Sequence, residues 1–288
     1  MSNFTETLLI LQFFKLIRWE NLLIIVLTQY MARVFLVGNG EAFELAILDE
    51  NQFLITLTTL LVAAAGYIIN DYFDVKIDLV NKPKEVIIGR FIKRRHAIFA
   101  HQVLNVSAAV ISYTISFRVF VVNVFAMTLL WVYASVFKKK PIIGNVLVAG
   151  LTAASLVVMA VYYTENDLLI NIYAVFAFGI TLIREIIKDI EDIRGDKKFG
   201  STTLPIIWGI RKTKYVIFFF MIGFIMTVCL MGFALHNQSL NFIFMLLAVP
   251  FFYMMFRLYF ADRKIHFSQL STWSKIIMIL GILSMAVI

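Results

Sequence analysis

Asn70-Asp71-Tyr72-Phe73-Asp74-Val75-Lys76-Ile77-Asp78 follows an apolar run from Phe53 to Ile69, and its reading decides the fold. The run approaches the length of a bilayer helix. Three carboxylates therefore sit where a hydrocarbon-buried helix should be ending. If the helix continues, Asp71, Asp74 and Asp78 fall at i, i+3 and i+7 and share one face. Neighbouring carboxylates ~6 Å apart repel by roughly 3 kcal/mol at an effective dielectric of ~20, and at a helix C-terminus they also oppose the macrodipole. That arrangement calls for a cation.

The same spacing recurs in Asp189, Asp192 and Asp196, which close the apolar run Ile172 to Ile187 at a constant offset of 118 residues. Two rows of equal geometry predict an internal pseudo-repeat whose aspartate-rich helix ends meet at one site.

The surrounding 288 residues are 61% hydrophobic and 15% charged, with 28 Phe and a mean hydropathy of +0.88, too apolar for a soluble domain. The chain reads as one all-α domain, 1–288, a polytopic membrane bundle of about nine transmembrane helices. The expected spans are Leu22–Val37, Phe53–Ile69, Ala97–Phe117, Val119–Phe137, Ile142–Tyr162, Leu168–Ile187, Tyr215–Leu235, Leu240–Phe260 and Trp273–Ile288, the third and fourth divided only around Arg118. Residues 1–20 lack the basic start and small-residue cleavage pattern of a secretory signal. Phe4 to Ile17 reads instead as an amphipathic interfacial helix, or as an extension of the first span.

With the N-terminus in the cytoplasm, all but Arg33 and Arg118 of the 26 Lys and Arg fall inside. The outer loops then carry Glu41, Glu44, Asp49, Glu50, Glu165 and Asp167. This is the positive-inside pattern of an integral protein of the cell (inner) membrane, and it accounts for the net charge of +8 without nucleic acid. Both aspartate rows open long cytoplasmic loops, 71–95 and 188–214, expected to be functional. Cys229 reads as core filler, and His96, His101, His236 and His266 form no zinc set. Arg18-Trp19 and Trp273 read as anchors at span ends. Phe218–Phe220 and Phe251–Tyr253 read as lipid-facing bulk, and Glu185 as a pair for Arg184 or a site residue.

Carboxylate rows with interleaved Lys and Arg suit Mg²⁺ together with a phosphorylated ligand, because Mg²⁺ takes one or two carboxylates and fills its octahedron with water and phosphate oxygens. A hydrophobic tail on that ligand would lie among the spans. The combination points to a prenyl diphosphate ionised at the membrane face, with aromatic rings sheltering the cation. A divalent-cation transporter is the alternative class, although it would need acidic groups through the depth of the bilayer.

Asn70-Asp71-x-x-Asp74-x-x-x-Asp78 and Asp189-x-x-Asp192-x-x-x-Asp196, set among nine spans, resemble the UbiA-type intramembrane prenyltransferases across essentially the whole chain. Asn81-Lys82-Pro83 with Gly89-Arg90, Tyr133-x-x-x-x-Lys138 with Pro141-x-x-Gly144-Asn145, and Gly200-Ser201-Thr202-Thr203-Leu204-Pro205 extend the match. The resemblance implies that Asp71, Asp74, Asp189 and Asp192 are catalytic carboxylates acting through Mg²⁺, with Asp78 and Asp196 completing the metal set. It also implies substrate-binding roles for Asn70, Arg90, Tyr133 and Lys138, the Arg and Lys on diphosphate oxygens. The short interval from Asp78 to Asn81-Lys82-Pro83 resembles the digeranylgeranylglyceryl phosphate synthase branch. That implies a lipid-like acceptor such as a prenylglyceryl phosphate, with an aromatic acceptor such as 4-hydroxybenzoate as the second reading. The family's Arg-Pro-x-Pro-Ser-Gly is replaced here by Lys84-Glu85-Val86-Ile87-Ile88-Gly89. Lys93, Arg94 and Arg95 could hold an acceptor phosphate, though such clusters more often set topology.

Overall fold

The computed structural model describes residues 2–38, 43–164, 167–234 and 238–287; Glu41, Glu165 and His236 lie outside them. Among the described residues nine helices are long and apolar enough to cross a membrane, in register with the nine expected spans. The chain is an all-α integral membrane protein.

Six of these helices close into a ring: α2 (Trp19–Ala32), α4 (Glu50–Asn81), α6 (Phe117–Ser135), α7 (Ile143–Tyr163), α8 (Asp167–Glu191) and α13 (Lys264–Leu283), each packed on the next and α13 back on α2. Outside the ring, α5 (Arg94–Ile115) covers α4 and α6, while α11 (Gly209–Ala234) and α12 (Gln238–Tyr259) cover α8 and α13. The two helices that carry the aspartate rows are the most enclosed: 56% of the α4 window and 61% of the α8 window are buried, against 17% for α5. Close approach at one ring seam depends on Gly281, where an added Cβ would lie 2.2 Å from the Phe176 ring.

Several expected boundaries shift. α4 does not end at Ile69 but runs 32 residues to Asn81, so the first row lies on an unbroken helix and the loop proper begins at Lys82. The continuation is possible because cations from distant segments neutralise its carboxylates. In the second row α8 stops at Glu191, Asp192 has non-helical backbone angles, and a short α9 (Ile193–Lys198) resumes. The two rows therefore share their spacing but not their backbone. Ser116, not Arg118, divides α5 from α6; its extended backbone breaks the helix and its Oγ accepts from the Arg118 N–H at 3.2 Å.

The N-terminal segment is a helix, α1 (Ser2–Leu16), but its apolar residues run around it instead of forming one stripe. Its end is plugged into the protein: Leu16 and Ile17 pack with Ile68, Ile87, Ile88 and Ala97. This cluster also explains how the loop after α4 holds shape without the prolines of the family pattern, since Val86, Ile87 and Ile88 are all buried. Burial of apolar side chains supplies the stiffness that proline rings would. Trp273 does not mark a span end. It lies nine residues inside α13, edge-on to Tyr253 at 4.9 Å. Phe219 and Phe252 are exposed as expected, whereas Phe251 is core.

Candidate active site

The ring encloses a cavity of about 300 Å³, within the range of small-molecule sites. All six ring helices line it; among the described residues α5, α11 and α12 contribute nothing. Its inner part is walled by side chains such as Val62, Leu130, Leu151, Phe176 and Met278, and Tyr173 and Met285 lie toward the far end. The Tyr173 hydroxyl shares a 2.9 Å hydrogen bond with Ser284 Oγ there. At the other end the wall becomes charged, and both aspartate rows converge.

Every carboxylate of the four principal positions has a partner. Arg18 Nη2 donates to Asp71 Oδ1 at 2.8 Å, and Lys138 Nζ donates to Asp74 and, at 3.0 Å, to Asn70 Oδ1. Asn145 Nδ2 donates to Asp189 Oδ2 at 2.9 Å, and Lys82 Nζ lies 3.5 Å from Asp192 Oδ2. Asp78, Asp192, Asp196 and Asp189 line the cavity, as do Asn70, Tyr133 and Lys138; Asp71 and Asp74 reach it through Arg18 and Lys138. Arg90 stands apart. It is exposed, lies over the Phe91 ring at 5.2 Å and does not line the cavity.

The rows are physically joined by Asn81, the last residue of α4. Its Nδ2 donates to the Asp192 carbonyl at 2.9 Å and its Oδ1 accepts from the Gly195 N–H at 2.8 Å. Only glycine fits opposite it, because a Cβ on residue 195 would lie 2.5 Å from Asn81 Nδ2. Lys264 Nζ completes the junction by donating to the Asn81 carbonyl at 3.0 Å.

Lys138 is set by a strained turn. Ile142 has φ 63°, ψ −45°, and the Ile143 N–H reaches back to the Pro141 carbonyl at 2.6 Å, a γ-turn that a β-branched residue rarely adopts. The Gly200–Pro205 segment clasps this turn, since the Thr202 N–H and Oγ1 both donate to the Lys139 carbonyl, at 2.8 and 2.9 Å.

Three charged groups outside the spans carry shifted pKa values. Burial works against the charged forms of Arg18 and Lys138, but Asp71 beside the first and Asp74 beside the second more than offset it, so both pKa values rise and both side chains stay cationic. The Asp196 carboxyl is pushed up to about 6, first by burial; Lys138 opposes the rise and Asp192, Asp74 and Asp78 add to it.

The sequence pattern missed Arg18, Lys188 and Lys275, which all line the cavity, and the clamp made by Asn81. Arg18 is not a span-end anchor; held in the left-handed region at φ 52°, it turns in from between α1 and α2 and also lies over the Tyr67 ring at 4.9 Å. Lys275 carried a usable signal, being a lone lysine inside an apolar span.

The model of the UbiA prenyltransferase family matches residues 25–276. The chain belongs to that family. A digeranylgeranylglyceryl phosphate synthase from Thermococcus sibiricus is 37% identical over 167 residues, 58% of this chain. That match spans 60% of the relative's own length. A solved structure described as giving insights into the biosynthesis of digeranylgeranylglyceryl phosphate synthase in membranes superposes with a TM-score of 0.73 at 26% identity, covering 96% of this chain and 97% of that one. A UbiA homologue from Archaeoglobus fulgidus bound to GPP and Mg²⁺ shares the UbiA fold at 15% identity and a TM-score of 0.66, over 96% of this chain and all of the other.

Proposed function

We propose that this UbiA-family protein transfers a prenyl group from a prenyl diphosphate to a lipid-like acceptor, geranylgeranylglyceryl phosphate, and releases diphosphate. The carrying observation is the two-ended cavity: an apolar chamber between helices whose mouth gathers both aspartate rows and Lys138. The named activity of the Thermococcus relative and the GPP and Mg²⁺ held by the Archaeoglobus homologue support the same reading.

The carboxylates present fit Mg²⁺. Asp78, Asp192 and Asp196 face the cavity, and Asp192 Oδ1 is buried without a hydrogen-bond partner among the described residues. No group of three His, Cys, Asp or Glu side chains among the described residues could hold a metal by itself, so ions here would take one or two carboxylates each and complete their shells with water and phosphate oxygens. Asp78, Asp192 and Asp196 would hold the metal, with Asp71, Asp74 and Asp189 released from their present partners. When bound, Mg²⁺ neutralises the leaving diphosphate. Lys138, still held by Asn70 once Asp74 turns to the metal, aims a permanent cation at the same oxygens. Tyr133 and Phe176 in the wall shelter positive charge developing on the prenyl carbon and keep water from it.

The basic segments beside the aspartate end support a reading in which this mouth opens at the cytoplasmic face of the cell membrane, the N-terminus is inside and α1 lies against that face. Cation transport is the poorer reading, because the aspartate rows collect at one end of the cavity and its carboxylates do not continue to the far end by Tyr173 and Met285. Purified protein with Mg²⁺ and geranylgeranyl diphosphate, given geranylgeranylglyceryl phosphate or 4-hydroxybenzoate, tests the proposal by mass spectrometry. Prenylated glycerol phosphate is expected. Product with the aromatic acid alone would move the protein to quinone-type chemistry.

A further inference from the structure

We infer that Arg184, Lys188 and Lys275 form a second anion subsite, which takes the phosphate monoester of the acceptor. The inference rests on the prenyl-transfer reading for the identity of that acceptor. Arg184 and Lys188 are one turn apart on α8, and Lys275 comes from α13, the next helix of the ring. All three line the cavity.

Their charge is not balanced within the protein. Glu185 is the acidic side chain of the group, and Arg184 Nη1 already binds it at 2.7 Å. Arg184 Nε is buried without a hydrogen-bond partner. Neither Lys188 nor Lys275 has an ion pair or hydrogen bond among the described residues. Of the other nearby groups, Arg18 is held by Asp71, Glu20 of α2 is exposed, and Asp189, next in chain to Lys188, accepts from the neutral Asn145 amide as part of the aspartate row. Two ammonium groups and one guanidinium N–H thus converge with a single carboxylate, inside helices that cross a membrane. Such charges are costly there unless a ligand answers them. A phosphate monoester carries about −1.5 to −2 at neutral pH, which answers the excess of positive charge that three cations hold over Glu185.

The subsite is distinct from the diphosphate end. Lys138 and Lys82 belong to the aspartate rows through Asp74 and Asp192. Arg184 lies five residues before Asp189, about 7.5 Å deeper along α8. The Lys93–Arg95 cluster, the sequence-based candidate for this role, lies outside the cavity wall, and Arg94 is stacked over Tyr72 at 4.2 Å. A carboxylate acceptor carries one charge and would leave one lysine unanswered.

Equilibrium binding of geranylgeranylglyceryl phosphate and of geranylgeranylglycerol tests this. Purified full-length protein is held in EDTA without prenyl diphosphate, so that neither metal nor donor contributes. Wild type is expected to bind the phosphorylated lipid at least about tenfold more tightly. Lys188→Gln and Lys275→Gln should each weaken that binding by about ten- to a hundredfold and leave the alcohol's affinity unchanged, which also reports a folded chamber. Lys275→Arg should retain the preference. Equal affinity of wild type for the two lipids, or full affinity in both Gln variants, overturns the subsite. Phosphate-dependent binding without any product in the transfer assay overturns the prenyl-transfer reading and leaves the subsite standing.

Discussion

Replacing Asn81 with alanine should uncouple the two aspartate rows. The substitution removes two hydrogen bonds, of 2.9 Å to the Asp192 carbonyl and 2.8 Å from the Gly195 N–H, each worth about 1 kcal/mol net. Gly195 is already packed against the Asn81 side chain, so the gap left by alanine removes packing on both sides. A loss of about 2–3 kcal/mol is expected, and a melting temperature several degrees lower in detergent. The effect on turnover should be larger than the effect on stability. Asp192 opens α9 and Asp196 lies within it, so a displacement of about 1 Å would cost on the order of a hundredfold in rate. Asn81→Asp provides the control of equal size: it can still accept from Gly195, but it sets a carboxylate oxygen against the Asp192 carbonyl and should rescue nothing. Mg²⁺-dependent turnover and thermal unfolding of the same preparations are the readouts. An alanine variant with wild-type turnover and an unchanged melting temperature would refute the clamp.

Asp71→Asn and Asp192→Asn should each leave an inserted, folded protein with turnover reduced by about 10²–10³-fold; near-normal activity in both would remove the metal roles assigned to the rows. The Asp196 carboxyl, at about 6, binds a proton more tightly in the folded than in the unfolded chain. Its contribution to stability is therefore present at low pH and lost as pH rises through about 6, so metal-free protein should melt higher at pH 5 than at pH 7, and added Mg²⁺ should reverse the order. Asp196→Asn should flatten that dependence. At the far end of the chamber, Tyr173→Ala removes the ring whose hydroxyl meets Ser284, and competition between prenyl diphosphates of different length should shift toward longer chains. An unchanged chain-length preference would place the limit elsewhere.

The spans and both aspartate rows were legible because they depend on local pattern: apolar length for the spans, and a 3-plus-4 spacing that needs no knowledge of neighbours. What was not legible depends on residues far apart in the chain. α4 continues past Ile69 because Arg18 and Lys138 reach Asp71 and Asp74 from 53 and 64 residues away. Nothing in the stretch itself announces those partners. The same holds for Asn81, whose contacts lie 111 and 114 residues on. Equal spacing of the rows promised equal geometry, yet the helix break at Asp192 gives the second row its own backbone. Arg90 matched a motif by position, but its side chain lies on the exposed side of a loop whose apolar residues point inward.

The most direct test of the central claim is simultaneous measurement of prenylated product and released diphosphate from purified protein, geranylgeranyl diphosphate and geranylgeranylglyceryl phosphate, with and without Mg²⁺. Equal amounts of product and diphosphate, both abolished by omitting Mg²⁺ and both lost in Asp192→Asn, are predicted. Divalent-cation flux into proteoliposomes, with neither product nor diphosphate formed, would contradict the account.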